Sequence, residues 1–356
     1  MTSIDRQSLF SGTEPPPEHL RLDSQSLQRY FDGRLEGLSA GFGVEQFKGG
    51  QSNPTYKLTG TTSYVLRRRP PGPLLPSAHA IDREYRVINA LARAGYPVPH
   101  PYVYCDDESI IGSAFYVVAY SAGRIFWNAE LPGLPRAERL TIYDDMAARL
   151  AQLHAFDPLA IGLADFGAPG GYVARNFARW AKLYRQSELV AIANMDWLLE
   201  HLPARIPAQQ NTSLVHGDYG LYNIVIASGQ SAIVAVLDWE MATLGDRFVD
   251  LAHHVRPWWE PANTRGAATS LREQPLAQLG IPSLEEYVKS YCDVAGIREI
   301  PYWNFYLGFA QFRYAAMVQG ILKRAAIGTA TGRSMLHRQE RVAEIAALAR
   351  STLESS

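Results

Sequence analysis

The chain has 356 residues, 47% of them apolar, with 34 basic against 35 acidic side chains and a formal net charge of -1. That is enough apolar material to bury a sizeable core in two domains or lobes, while the balanced charge supplies no general field for nucleic acid or an anionic membrane. Two isolated cysteines, Cys105 and Cys292, make neither a disulfide framework nor a zinc site; with no signal-peptide core and no run near the ~20 apolar residues of a membrane helix, the expectation is a cytoplasmic protein.

Residues 1–22, with prolines at Pro15, Pro16 and Pro17, read as a flexible tail. Leu27 to Leu35 reads as a short helix. Between Phe42 and Leu66 come short β-type runs broken at Gly49-Gly50 and Gly60, with Ser63 to Leu66 the plainest strand. Pro70-Pro71-Gly72-Pro73 must be a loop. Ala78 to Ala94 predicts a helix, because Ile81, Glu84, Ile88 and Leu91 recur at three- and four-residue spacing. Ala114 to Tyr120 suits a buried strand, and Gly123 marks the lobe boundary. Thr141 to Ala155 predicts a strong helix. Beyond Gly171 the pattern is helical, interrupted between Ser213 and Trp239 by two strand-like runs, Ile224 to Ile226 and Ile233 to Leu237, with Gly229 between them. The expected order is a β-rich lobe with one helix (23–120), then a helical lobe with an inserted hairpin (121–356).

The segment Leu214-Val215-His216-Gly217-Asp218-Tyr219-Gly220-Leu221-Tyr222-Asn223, followed by Asp238 at the end of an apolar run, carries the chemistry. Phosphoryl transfer needs a carboxylate to orient or accept the proton of the attacking hydroxyl, and oxygen ligands to hold magnesium on the phosphates. Asp218 suits the first task, Asn223 and Asp238 the second, and a hairpin would bring the latter two together. Any one Asp after a strand is ordinarily a turn or cap residue; the fixed spacing of the whole set is what points to function. His216 reads as a structural brace, Asp246 as a helix N-cap and Asp250 as a support for the loop.

This segment resembles the signature of the aminoglycoside phosphotransferase and choline kinase superfamily, which shares its two-lobed α+β fold with protein kinases. It has the spacing of H-R-D-x-x-x-x-N with Gly217 in place of Arg, and Asp238-Trp239-Glu240 stands where D-F-G would be. The resemblance implies ATP and Mg2+ as cofactors, Asp218 as base, and Asn223 and Asp238 as magnesium ligands. It also implies that Gly50, Ser52 and Asn53 belong to a loop over the phosphates, although the glycine spacing departs from G-x-G-x-x-G. Arg67 stands where protein kinases have a phosphate-binding Lys, with Glu84 as its acidic partner, and Tyr120 falls at the adenine hinge.

The runs Leu66 to Gly72, Leu75 to His79, Arg83 to Tyr85, Gly123 to Phe126 and Val236 to Asp246 are more specific. They resemble the kinase-like domain fused to certain acyl-CoA dehydrogenases and its free-standing bacterial relatives, which implies a hydroxyacyl-CoA acceptor. From His253 onward there are 12 Arg and Lys against 9 Asp and Glu, a sign that suits an anionic small molecule better than a polycation. Arg124, Arg256, Arg313 and Trp259 are the acceptor-binding candidates, although a helical lobe needs most of its aromatic residues for packing. Two alternatives stay open: an aminoglycoside or other small alcohol as acceptor, and a pseudokinase that binds nucleotide without transfer, for which Arg67 in place of Lys is the one supporting feature. No activation loop fits between Asp238 and Asp250, no G-x-x-x-x-G-K-[ST] occurs, and the G-x-S-x-G match at Gly37 to Gly41 follows an expected helix and precedes β-type runs, the reverse of the strand-to-helix turn of a hydrolase elbow.

Overall fold

The computed structural model describes residues 6–49, 53–70, 80–209, 211–261, 270–327 and 339–355. The expectations for Gly50, Ser52 and the loop at 71–79 fall outside those residues. The N-terminal part is a six-stranded antiparallel sheet in the order β1-β2-β3-β4-β6-β5, with β1 Thr13–Glu14, β2 Gly43–Phe47, β3 Thr55–Thr59, β4 Ser63–Arg68, β5 Pro101–Cys105 and β6 Phe115–Ala119. Helix α1 spans Arg6–Phe10 and α2 spans Ser24–Phe31, the latter capped by the Asp23 carboxylate, which accepts from Gln25 N and Ser26 N.

The period of two along the strands divides the lobe. Tyr56, Leu58, Tyr64, Leu66, Phe115 and Val117 face α2 and pack on Leu27 and Phe31. The alternate residues, Tyr116 and Val118 with half-buried Val65, face α3 (Ile81–Arg93) and join the core of the second lobe. On α3 the buried stripe of Ile81, Glu84, Val87, Ile88 and Leu91 contains one charge, Glu84. Arg67 follows Val65 by two residues on β4, so it points at the same helix.

The N-terminal segment departs from the expected tail. Thr13 and Glu14 pair with Phe47 and Gln46, and Gln7 bonds to the segment between the lobes. An open sheet edge supplies unpaired N–H and C=O groups that this segment satisfies, and no periodicity in two residues of strand announces it.

The second lobe is helical: α4 Arg136–Ala155, α5 Tyr172–Ser187, α6 Ala193–His201, α7 Arg247–His254, α8 Arg256–Trp259, α9 Leu276–Leu279, α10 Leu284–Ala295, α11 Trp303–Ala326 and α12 Gln339–Glu354. Helix α11 is buried around its whole circumference from Phe305 to Ala316, which marks it as the axis of the lobe. Two small antiparallel pairs interrupt the helices. Strand β7 (Ser213–Val215) pairs with β10 (Thr243–Gly245), and β8 (Ile224–Ile226) pairs with β9 (Ile233–Val236) as the expected hairpin. Among the described residues no helix is long and apolar enough to cross a membrane.

Candidate active site

The loop between β7 and β8 is pinned from below. Asp250 on α7 accepts from His216 N at 2.7 Å and Gly217 N at 2.8 Å, and His154 Nε2 lies 3.2 Å from the same carboxylate. Burial would raise the Asp250 carboxyl, but the bonds and positive field of His154 and the His216 peptide outweigh it and hold it far below the usual range. Gly217 sits at φ 83°, and a Cβ there would lie 2.8 Å from Met241 O, so the position requires glycine. Arg313 Nη2 donates to Gly217 O at 3.1 Å. His216 is a brace, as expected: its Nδ1 accepts from Asp218 N at 3.2 Å and its Nε2 donates to Leu237 O at 2.9 Å.

This pinned loop presents Asp218, whose side chain is 38% exposed. Tyr222 Oη donates to Asp218 Oδ1 at 2.6 Å, and His253 Nε2 lies 3.5 Å from the same oxygen. Asn223 Nδ2 donates to Asp218 O at 2.9 Å and to Oδ2 at 3.3 Å. Burial alone would raise this carboxyl; contacts with His253 and Tyr222 and the positive charge of Arg256 bring it below its ordinary value. His253 is itself pushed down by burial and by Arg313, so it is neutral at neutral pH.

Asn223 and Asp238 end the two strands of the hairpin, and Leu237 N donates to Asn223 O at 2.8 Å. Asp238 adopts a left-handed φ of 62°, a conformation that Asp tolerates better than most residues and that recurs where side chains are held for function. The donor set suits magnesium. Because Nδ2 of Asn223 is committed to Asp218, its amide oxygen turns the other way, and with the Asp238 carboxylate it offers hard oxygen ligands. Among the described residues no group of three or more His, Cys, Asp or Glu is arranged to hold a metal alone.

Across the cleft, Arg67 Nε lies 3.1 Å from Glu84 Oε2, while its Nη2 donates to Asp238 Oδ1 at 2.9 Å and to Glu240 Oε2 at 3.1 Å. Burial disfavours the guanidinium charge, and Glu84 and Asp238 more than offset that, so it stays protonated. Burial pushes the Glu84 carboxyl up to about 7 against the pull of Arg67, and the negative charges of Asp238 and Glu240 add to the rise. Asn53 is buried, and its Nδ2 approaches Glu240 Oε2 at 3.5 Å. Tyr120, at the end of β6, donates its N–H to Ser63 O; Lys57 Nζ lies 4.4 Å above its ring and Phe47 stands 6.5 Å away.

The acceptor candidates divide. Arg256 and Arg313 lie on the Asp218 side: Arg256 adds positive field there, and Arg313 bonds the loop itself. Arg124 does not belong with them. Its Nη2 bonds Glu138, Ala227 O and Gln230 O, at the turn end of the hairpin, a strand length of roughly 10 Å from the Asn223 end. Trp259 is a core residue, 5% exposed, with its Nε1 donating to Ala252 O at 3.4 Å. Sequence reasoning missed Tyr222, His253 and Glu240. Tyr222 had a signal, since it lies inside the catalytic segment; His253 is 35 residues from Asp218 and had none.

Three comparisons bear on the site. The model of the phosphotransferase enzyme family matches residues 43–287. The solved structure of a putative aminoglycoside phosphotransferase from Ralstonia eutropha is 40% identical, with a TM-score of 0.83 over 94% of this chain and 99% of that one. Choline kinase from Cryptosporidium parvum, 10% identical with a TM-score of 0.62 over 94% and 96%, shares the fold. Acyl-CoA dehydrogenase family member 10 of Mus musculus is 42% identical over 90% of this chain and 30% of its own length. Member 11 of Homo sapiens is 40% identical over 88% and 40%. The chain therefore spans well under half the length of these two curated relatives.

Proposed function

We propose a specific reaction for a chain that belongs to the phosphotransferase enzyme family: transfer of the γ-phosphoryl group of ATP to the hydroxyl of a hydroxyacyl-CoA. That it is a phosphotransferase with an alcohol acceptor follows from the family; the acceptor and the residue roles are our reading. The observation that carries it is the grip on Asp218, a solvent-reached carboxylate on a pinned loop, bonded to Asn223 at the end of the hairpin that leads to Asp238, which Arg67 ties to the N-terminal lobe.

In this reading the acceptor oxygen bonds to the γ-phosphorus as the bond to the β,γ-bridging oxygen breaks, ADP leaves, and the hydroxyl proton passes to Asp218. Arg67, held by Glu84 at Nε, gives up Asp238 and Glu240 at Nη2 and donates there to the α- or β-phosphate. Asn223 and Asp238 hold Mg2+, which when bound neutralises charge on the phosphates. Asn53 belongs to the segment over the phosphates, and Tyr120 lies against the adenine. The nucleotide lobe ends at Tyr120, and 121–356 carry the catalytic loop and acceptor site.

The CoA moiety is polyanionic, and Arg256 and Arg313 give the Asp218 side a positive field. The similarity to proteins named as acyl-CoA dehydrogenase family members supports a thioester acceptor. The test is phosphate incorporation from ATP into a 4-hydroxyacyl-CoA, its free acid and kanamycin side by side. The thioester is expected to be preferred and the free acid to lose rate because the remote binding energy is gone; a preference for kanamycin would overturn the acceptor assignment and leave the kinase assignment standing.

A further inference from the structure

The N-terminal segment ends at the catalytic carboxylate through a chain of contacts. Gln7 Nε2 donates to Ile125 O at 2.7 Å, and Trp127 N donates to Gln7 Oε1 at 3.1 Å, so one side chain clamps the backbone on both sides of Phe126. Phe10 packs on Trp127 with ring centroids 4.7 Å apart. Trp127 in turn stacks on Tyr222 at 5.7 Å with 20° between the planes, and Tyr222 Oη donates to Asp218 Oδ1.

The same segment holds the strand that leads into the phosphate loop. Beyond the β1–β2 pairing, Lys48 N donates to Gly12 O at 3.1 Å. At Gly49 a Cβ would lie 3.2 Å from Phe10 O and 3.5 Å from the Trp127 ring, so the missing side chain lets the three approach. A helix of five residues does not hold itself together in water; α1 stands on these contacts, while Leu9 on the same helix is exposed. The family match begins at residue 43, so Gln7 and Phe10 lie outside what it defines.

We infer that Gln7 and Phe10 are positioning residues for phosphoryl transfer, holding Trp127 flat against Tyr222 so that the Tyr222 hydroxyl fixes the Asp218 carboxylate. The inference rests on the catalytic role proposed for Asp218. A small displacement of a catalytic group lowers the rate of chemistry with little change in nucleotide binding.

The experiment compares full-length wild type with Gln7→Ala, Phe10→Ala, Phe10→Tyr and Leu9→Ala. ATP turnover is read with and without acceptor, alongside the melting temperature. The expected result is a fall in kcat of about tenfold in Gln7→Ala and Phe10→Ala at unchanged KM for ATP and unchanged melting temperature, recovery in Phe10→Tyr, and no effect in Leu9→Ala. A second readout needs no acceptor: the Trp127 indole proton resonance, identified by its loss in Trp127→Phe, should move in Gln7→Ala, Phe10→Ala and Tyr222→Phe but not in Leu9→Ala. Unchanged kcat in both alanine variants, an equal loss in Leu9→Ala, or an unmoved indole resonance each overturns the inference. A wild-type protein that hydrolyses ATP yet phosphorylates none of the acceptors overturns the acceptor reading instead, and the variants are then judged on hydrolysis with the same expectation.

Discussion

Arg67 joins the two lobes by donating from Nη2 to Asp238 Oδ1 at 2.9 Å, 171 residues along the chain. The same guanidinium faces Glu84 through Nε and reaches Glu240. One cation thus organises three carboxylates at the point where the nucleotide lobe meets the hairpin. The geometry uses two edges of a planar fork, which an ammonium cannot reproduce.

Arg67→Ala should therefore weaken ATP binding and also destabilise the fold. Glu84 is 1% exposed, and leaving such a carboxylate without its partner costs about 3–5 kcal/mol. Arg67→Lys should recover charge but only part of the bridging, falling between the two in apparent KM for ATP. Chemical denaturation and ATP titration of both variants check this; a lysine variant equal to wild type in both would show that the fork is dispensable.

If Asn223 and Asp238 hold one magnesium ion, as proposed, Asn223→Ala and Asp238→Ala should each weaken magnesium-dependent nucleotide binding, and the double variant should cost less than their sum. A calorimetric double-mutant cycle with ADP, run with and without magnesium, measures the coupling. Additive losses that persist without magnesium would assign the two residues to separate structural roles.

The pinned loop and hairpin ends were legible in the sequence because their residues lie close along it. Asp218 and Asn223 are five apart, and the run ending at Asp238 pairs with Ile224 to Ile226 as a hairpin. Arg67 and Glu84 were legible through the resemblance to the protein-kinase strand that ends in Lys and to its acidic partner, with Glu84 also falling in the three-four spacing of α3. What was not legible depends on contacts over long separations or on elements too short to show a period. Strands β7 and β10 have three residues each. Gln7 meets Ile125 across 118 residues, and His253 reaches Asp218 only because α7 packs under the loop. Arg124 was misplaced because its sequence neighbours lie at the lobe boundary, whereas its side chain caps the hairpin turn.

His254 predicts a pH dependence of stability. Its Nδ1 donates to Tyr219 O at 3.1 Å and its Nε2 accepts from Tyr287 Oη at 2.7 Å, a pairing that requires the neutral ring. Burial pushes its pKa down to about 4, against ~6.5 in an unfolded chain. Between those values the unfolded state binds more protons, so stability rises with pH, and acidification across the window removes up to about 3 kcal/mol. Glu84, raised to about 7, acts in the opposite sense, since the folded state then holds the extra proton. The comparison is accordingly between wild type and His254→Asn: urea melts from pH 4 to 7 should show a lower slope of stability against pH in the variant than in wild type. Equal slopes would contradict the neutral buried histidine.

The most direct test of the account is Asp218→Asn, an isosteric change that replaces the carboxylate by an amide and so removes the proposed base. Phosphoester formation from ATP and a 4-hydroxyacyl-CoA is measured in a single turnover, beside ATP binding measured separately. The account predicts that the variant binds ATP like wild type and transfers phosphate about 10²–10⁴-fold more slowly, the usual contribution of a general base. Transfer at the wild-type rate would contradict it.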